Sequence, residues 1–313
     1  AAVPEHLRLF VEQWEQVFAS VQGLSAYDAT RIPVDHFDVV IVDEFHHAAA
    51  NTYRALLEHL DPKVLLGLTA TPERADGQSV LEWFDDRIAV ELRLWEAIDS
   101  GHLVPFHYFG VHDGVDLSDL EWRAGGYQVS ELDNLYTGDD ARVGIVLGAM
   151  RDKVDPQNIK ALGFCVSIAH AEYMAAKFNE AGIPSVAVSA NTGSEERAAA
   201  LRELRNGNIS VVFAVDLFNE GVDVPDVDTV LFLRPTESLT VFLQQLGRGL
   251  RRADDKAVLT VLDFVGNQHR KFRFDQRFRA LPGDTRQGVV RQIENGCPYL
   301  PSGCHIELER VAR

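Results

Sequence analysis

The chain has 313 residues, 46% of them hydrophobic, enough for two domains with sizeable cores. Its formal net charge of −17, from 30 basic and 47 acidic side chains, argues against tight nonspecific binding to nucleic acid, though not against a groove that holds phosphates with backbone amides and a few side chains. No apolar run approaches the ~20 residues needed to cross a bilayer, the first residues lack a signal-peptide pattern, and three cysteines make no disulfide framework but suit a reducing cytoplasm.

In chain order, residues 16–24 form a short apolar strand running into a polar turn. The run "FDVVIVDE" (37–44) is continuous and apolar, as expected for a strand covered on both faces. A helix follows over 49–59, and "VLLGLTATP" (64–72) is a second buried strand ending in small hydroxyl residues and a proline. Strand, helix, strand at these lengths implies a parallel unit. From 95 to 139 the pattern weakens into Gly- and Asp-rich sequence and reads as a connector.

A second parallel unit starts near Asp140. It alternates strands at 159–167, 184–190, 209–218, 227–235 and 257–266 with helices at 169–182, 195–207 and 238–252. The tail beyond Asn267 is more basic and less regular. The expected architecture is α/β with two parallel-sheet domains: 1–94, a connector over 95–139, 140–266, and a C-terminal extension over 267–313. In both domains the polar residues gather at the C-terminal ends of strands, where open parallel sheets bind ligands.

At the tip of the 37–44 strand stand Asp43 and Glu44. In nucleotide hydrolysis one carboxylate at a strand end commonly holds Mg²⁺ while a neighbour orients or deprotonates the attacking water. Alternation along the strand points the two in different directions, which suits that division. His46 comes two residues later and could report the state of the site. A zinc protease would need H-E-x-x-H on a helix, whereas His46 and His47 are adjacent and share no helical face. Cys297 and Cys304 have the wrong spacing for a zinc knuckle and read as packed thiols.

Taken together and in order, these stretches resemble the motifs of superfamily 2 helicases and translocases, in the DEAH-like branch that includes restriction-enzyme motor subunits and repair helicases. Asp43, Glu44, Phe45 and His46 resemble motif II, and Thr69, Ala70 and Thr71 resemble motif III. "GFCVSIAHAEYMA" resembles motif IV and "FNEGVDVPDVDTVLFLRP" motif V. Gln244, Gly247, Arg248 and Arg251 match the motif VI pattern Q-x-x-G-R-x-x-R.

The resemblance implies two RecA-like domains that sandwich ATP with Mg²⁺. Asp43 and Glu44 would bind the metal from the first domain. Gly221, Asp223, Gln244, Arg248 and Arg251 would bind the nucleotide from the second, Asp223 at the ribose hydroxyls. Arg248 and Arg251, read as one helical turn apart, would both reach the γ-phosphate. Gly247 and Gly249 are costly inside a helix unless something must come close. Thr69, Ala70 and Thr71 would couple the ATP site to the nucleic-acid track; the lesser alternative is that the threonines cap the next helix. The implied partner is nucleic acid, by family analogy double-stranded DNA. Arginines, lysines and phenylalanines interleaved beyond Val265 suit phosphate contact and base stacking, or an amphipathic docking helix.

One element is missing. Such a motor needs G-x-x-x-x-G-K-[ST], yet none of the six lysines follows a glycine. The expectation is therefore a first domain truncated at its N-terminus, in a piece of a longer motor that hydrolyses ATP negligibly by itself. The alternative is a non-catalytic RecA-like binding module.

Overall fold

The computed structural model describes residues 31–45, 51–69, 80–123, 126–215, 224–236, 238–269, 272 and 300–309. The chain divides into two compact units, Ala1–Glu91 and Leu92–Arg313. The strand expected over 16–24 lies outside the described residues.

In the first unit, β1 (Val39–Val42) and β2 (Val64–Gly67) pair in parallel, Val39 opposite Val64 and Val42 opposite Gly67. The helix α1 (Asn51–His59) connects them. Branched side chains favour the strands, as the apolar runs predict. Burial differs from the expectation: it alternates, with Val39 45% and Ile41 61% exposed. Phe45, Leu57 and Val80 form a core backed by Val42, Leu65, Trp83 and Phe84, and among the described residues this layer covers one face.

The second unit is built on a seven-stranded parallel sheet in the order β11-β3-β10-β9-β6-β8-β7. Its elements are α2 (Leu94–Asp99), β3 (Phe106–Asp116), the small antiparallel pair β4 (Trp122–Arg123) and β5 (Gly126–Tyr127), α3 (Val129–Tyr136) and α4 (Asp140–Lys153). There follow β6 (Ala161–Phe164), α5 (Ile168–Glu180), β7 (Ser185–Val188), α6 (Ser194–Asn206) and β8 (Val211–Ala214). The set closes with β9 (Thr229–Phe232), α7 (Leu239–Leu250), β10 (Leu259–Asn267) and β11 (His305–Leu308). The central strands β6, β8 and β9 are buried at every position, so their sequences read as unbroken apolar runs.

Alternation sends side chains to two cores. Val212, Val230, Phe232 and Val261 meet Leu204 of α6 and Phe242, Leu246 and Leu250 of α7. Val211, Phe213, Leu231 and Leu262 meet Val143, Val146 and Met150 of α4 and Met174 and Phe178 of α5. Capping bounds these helices. The Asp139 carboxylate accepts from the Arg142 amide, the Ser167 hydroxyl from the His170 amide, and Gly207 leaves α6 at φ +76°.

Two stretches differ from the sequence expectation. The span 95–139, read as a connector, contains β3, an 11-residue strand between β11 and β10. Its alternation of aromatics with His, Gly and Asp resembles a loop in composition, but it suits a strand next to the sheet edge, buried on alternate residues. The extension over 267–313 returns one strand, β11, to the sheet edge. Among the described residues no helix is long and apolar enough to cross a membrane.

Candidate active site

At the end of β1 the chain is tied to β2: the Leu68 amide donates to the Val42 carbonyl at 2.9 Å, and the Phe45 amide to the Leu68 carbonyl at 2.8 Å. Between these ties the Asp43 carboxylate accepts from the Glu44 amide at 2.9 Å. Glu44 has φ +50°, a left-handed conformation that few non-glycine residues adopt. Phe45, 1% exposed, anchors the turn by packing on Phe84 with ring centroids 4.8 Å apart. A Cβ at Gly67 would sit 2.8 Å from the Phe45 ring and 2.6 Å from Phe84, so only glycine lets both rings lie on the strand.

The strand tip therefore carries two adjacent carboxylates held by a buried aromatic, and Thr69 follows β2 at the same end. Mg²⁺ is typically held by one or two carboxylates together with substrate phosphates, and Asp43 and Glu44 fit that donor set. His46, Ala70 and Thr71 lie outside the described residues.

In the second unit the structure brings Gln244, Arg248 and Arg251 to one stretch of chain. Gln244 and Arg248 are half-buried on α7; Arg251 is exposed. They are not arranged as the spacing predicts. α7 stops at Leu250, and Arg251 is extended (φ −63°, ψ 144°), bridging antiparallel to Leu103. The Val104 amide takes the Leu250 carbonyl at 2.9 Å. The segment before β3 thus captures backbone groups that another helical turn would use, and Arg248 and Arg251 do not share a helical face. Gly249 has a packing reason: a Cβ there would lie 2.4 Å from Leu259, whereas one at Gly247 meets nothing within 4 Å. Gly221 and Asp223 lie outside the described residues.

A second difference concerns which edge of the sheet is involved. Arg251 pairs just before β3 and lies between the end of α7 and the start of β10, so it stands at the N-terminal edge of the strands. The C-terminal edge holds instead a buried polar cluster that sequence reading missed. Arg142, 2% exposed, donates to Asp113 at 2.8 Å and to the Leu233 carbonyl at 2.9 Å, and lies 4.0 Å from the Tyr136 ring centroid. Its other neighbour is His170, 3.4 Å away. Burial and the Arg142 charge push the His170 pKa down to about 3, so the imidazole is neutral. The Ser167 hydroxyl reaches Asp133, tying motif IV to α3. No linear signal could have found this cluster: Arg142 stands 29, 28 and 91 positions from Asp113, His170 and Leu233.

Residues 5–74 match the family described as "Type III restriction enzyme, res subunit", and residues 149–253 match "Helicase conserved C-terminal domain". The chain is 30% identical over 266 residues to the Saccharomyces cerevisiae protein named "Putative ATP-dependent helicase IRC3", covering 82% of this chain and 38% of that one. The matched families and this relative are those of superfamily 2 helicases. The chain is also 25% identical to the DNA 3'-5' translocase XPB2 of Sulfurisphaera tokodaii, over 82% of its own length and 64% of the relative's. Its fold matches the ATP-dependent Type ISP restriction-modification enzyme LlaBIII bound to DNA, with a TM-score of 0.62, 16% identity, and coverage of 92% of this chain and 22% of that one. The parallel sheet is that of a RecA-like helicase domain, and the family is one of ATP-dependent motors.

Proposed function

We propose that this chain supplies the metal-binding carboxylates and the phosphate-facing arginines of an ATP-driven motor on double-stranded DNA. In the longer protein both RecA-like units would contribute residues to ATP, with a phosphate loop contributed from outside this sequence. Asp43 would hold Mg²⁺, which when bound would supply charge neutralisation at the phosphates. Glu44 orients the attacking water and takes its proton as the water oxygen bonds the γ-phosphorus and the bond to the bridging oxygen of ADP breaks. Arg248 and Arg251 stabilise the charge that spreads over the γ-phosphoryl oxygens. Asp223 holds the ribose, and Thr69, Ala70 and Thr71 pass the nucleotide state to the DNA track.

The observation that carries this reading is the tip of β1. Two carboxylates stand at the end of a parallel strand, one in a left-handed conformation, over a buried anchor. Such geometry at a ligand-binding edge is what a positioned metal and water require. DNA as the track is supported by the name of the archaeal relative and by the DNA-bound restriction enzyme that shares the fold.

The test is steady-state ATPase with and without double-stranded DNA, on this chain and on the longer protein. The chain alone is expected to show negligible turnover. In the longer protein Glu44→Gln should abolish DNA-stimulated turnover, and Arg251→Ala should lower kcat by roughly 10³ while changing ATP affinity little. Robust turnover by the chain alone that Glu44→Gln removes would overturn the requirement for a phosphate loop. DNA binding with no turnover in the longer protein would instead favour a non-catalytic module, the reading that the net charge of −17 and the missing loop support.

A further inference from the structure

Lys256 is not part of any motif, yet its ammonium group joins two of them. It donates to the Arg251 carbonyl and to the Pro225 carbonyl, each at 2.9 Å. Pro225 stands two residues beyond Asp223, within motif V; Arg251 ends motif VI. The side chain is half-buried, and burial pulls its pKa down to about 8 against the opposing charges of Asp228 and Asp226.

Arg251 is also held from its other side. Leu103 bridges it, the Val104 amide binds the preceding carbonyl of Leu250, and the Arg252 guanidinium donates to the Gly101 carbonyl at 2.9 Å. The side chain of Arg251 is long and exposed, with many rotatable bonds. Its reach toward a phosphoryl group is defined only if the backbone it starts from is defined. Extended residues just past a helix end lack the helix's own hydrogen bonds to do that. Lys256 supplies a side-chain contact to the Arg251 carbonyl, in addition to the backbone bridge.

We propose that Lys256 is a positioning residue for ATP hydrolysis: by clamping the carbonyls of Arg251 and Pro225 together, it sets the backbone from which the Arg251 guanidinium reaches the γ-phosphate. The proposal rests on the reading of Arg251 as a transition-state arginine. Displacements near 1 Å in a catalytic group cost on the order of 10² in rate, so losing the clamp should appear in kcat before it appears in binding.

The test uses the longer protein with its phosphate loop and measures DNA-stimulated ATPase for Lys256→Met, Lys256→Arg, Arg251→Ala and the Lys256→Met/Arg251→Ala double variant. Lys256→Met is expected to lower kcat about tenfold or more, with KM for ATP within about twofold. Lys256→Arg, which can donate to both carbonyls, should recover most of the rate. In the Arg251→Ala background, Lys256→Met should cost less than about a further twofold, because its effect passes through the arginine.

Wild-type kcat in Lys256→Met, or the same loss with and without Arg251, overturns the proposal. If Lys256→Met does not fold, Lys256→Gln, which keeps a single amide donor group, is judged by the same criteria. A silent Arg251→Ala would overturn the arginine reading and this proposal together. That result is distinct from failure of the clamp alone, in which Arg251→Ala slows turnover and Lys256→Met does not.

Discussion

Arg142 is a buried charge of the second unit, 2% exposed. It is sealed between Asp113, the Leu233 carbonyl and the face of Tyr136. Removing the guanidinium while leaving Asp113 buried should cost about 3–5 kcal/mol of stability, because the carboxylate loses its compensating charge. Urea unfolding of Arg142→Met measures this. His170, beside it, couples the same cluster to pH. Its folded pKa of about 3 lies below the unfolded value near 6.5, so the unfolded state binds the extra proton between them. Its contribution is complete above pH 6.5 and is lost as pH falls toward 3, at about 1.4 kcal/mol per unit. Lowering pH from 6.5 to 5 should therefore cost wild type roughly 2 kcal/mol more than His170→Gln, as read by denaturant unfolding at the two pH values. An equal loss in both proteins would place the acid sensitivity in other groups.

Among the elements, α7 shows how tertiary contacts override a linear pattern. Its two glycines have the same intrinsic helix cost but different surroundings. Gly249 lets the helix lie directly on Leu259 of β10; Gly247 faces open space. Gly247→Ala should raise stability by up to about 1 kcal/mol through helix propensity. Gly249→Ala should lower it by about 1–3 kcal/mol, since the added methyl must displace a packed leucine. Thermal unfolding of the two variants separates them, and a stabilised Gly249→Ala would mean that α7 can slide on the sheet. The same helix was readable in sequence as far as Leu250. Its end was not, because a segment some 150 residues earlier (Leu103–Val104) supplies the competing hydrogen bonds.

For the whole molecule, the second unit packs a core on each face of a seven-stranded sheet. Residues 92–313 expressed alone should therefore unfold in one cooperative transition, and should not hydrolyse ATP, since Asp43 and Glu44 belong to the other unit. Circular dichroism during heating checks the first statement and a phosphate-release assay the second. A broad, non-cooperative melt would show that the second unit needs the first to fold.

The sequence by itself determined the α/β class, the central strands β6, β8 and β9, the helices between them, and the family, because buried parallel strands write themselves as apolar runs and the motifs stand at their ends. Tertiary structure alone decided that β3 and β11 join the sheet, that Arg251 leaves its helix, and that Arg142, Asp113 and His170 meet at the C-terminal edge. The physical reason is the same in each case. A strand near the edge is buried on alternate residues and reads like a loop, and a hydrogen bond between residues far apart in the chain leaves no periodicity to detect.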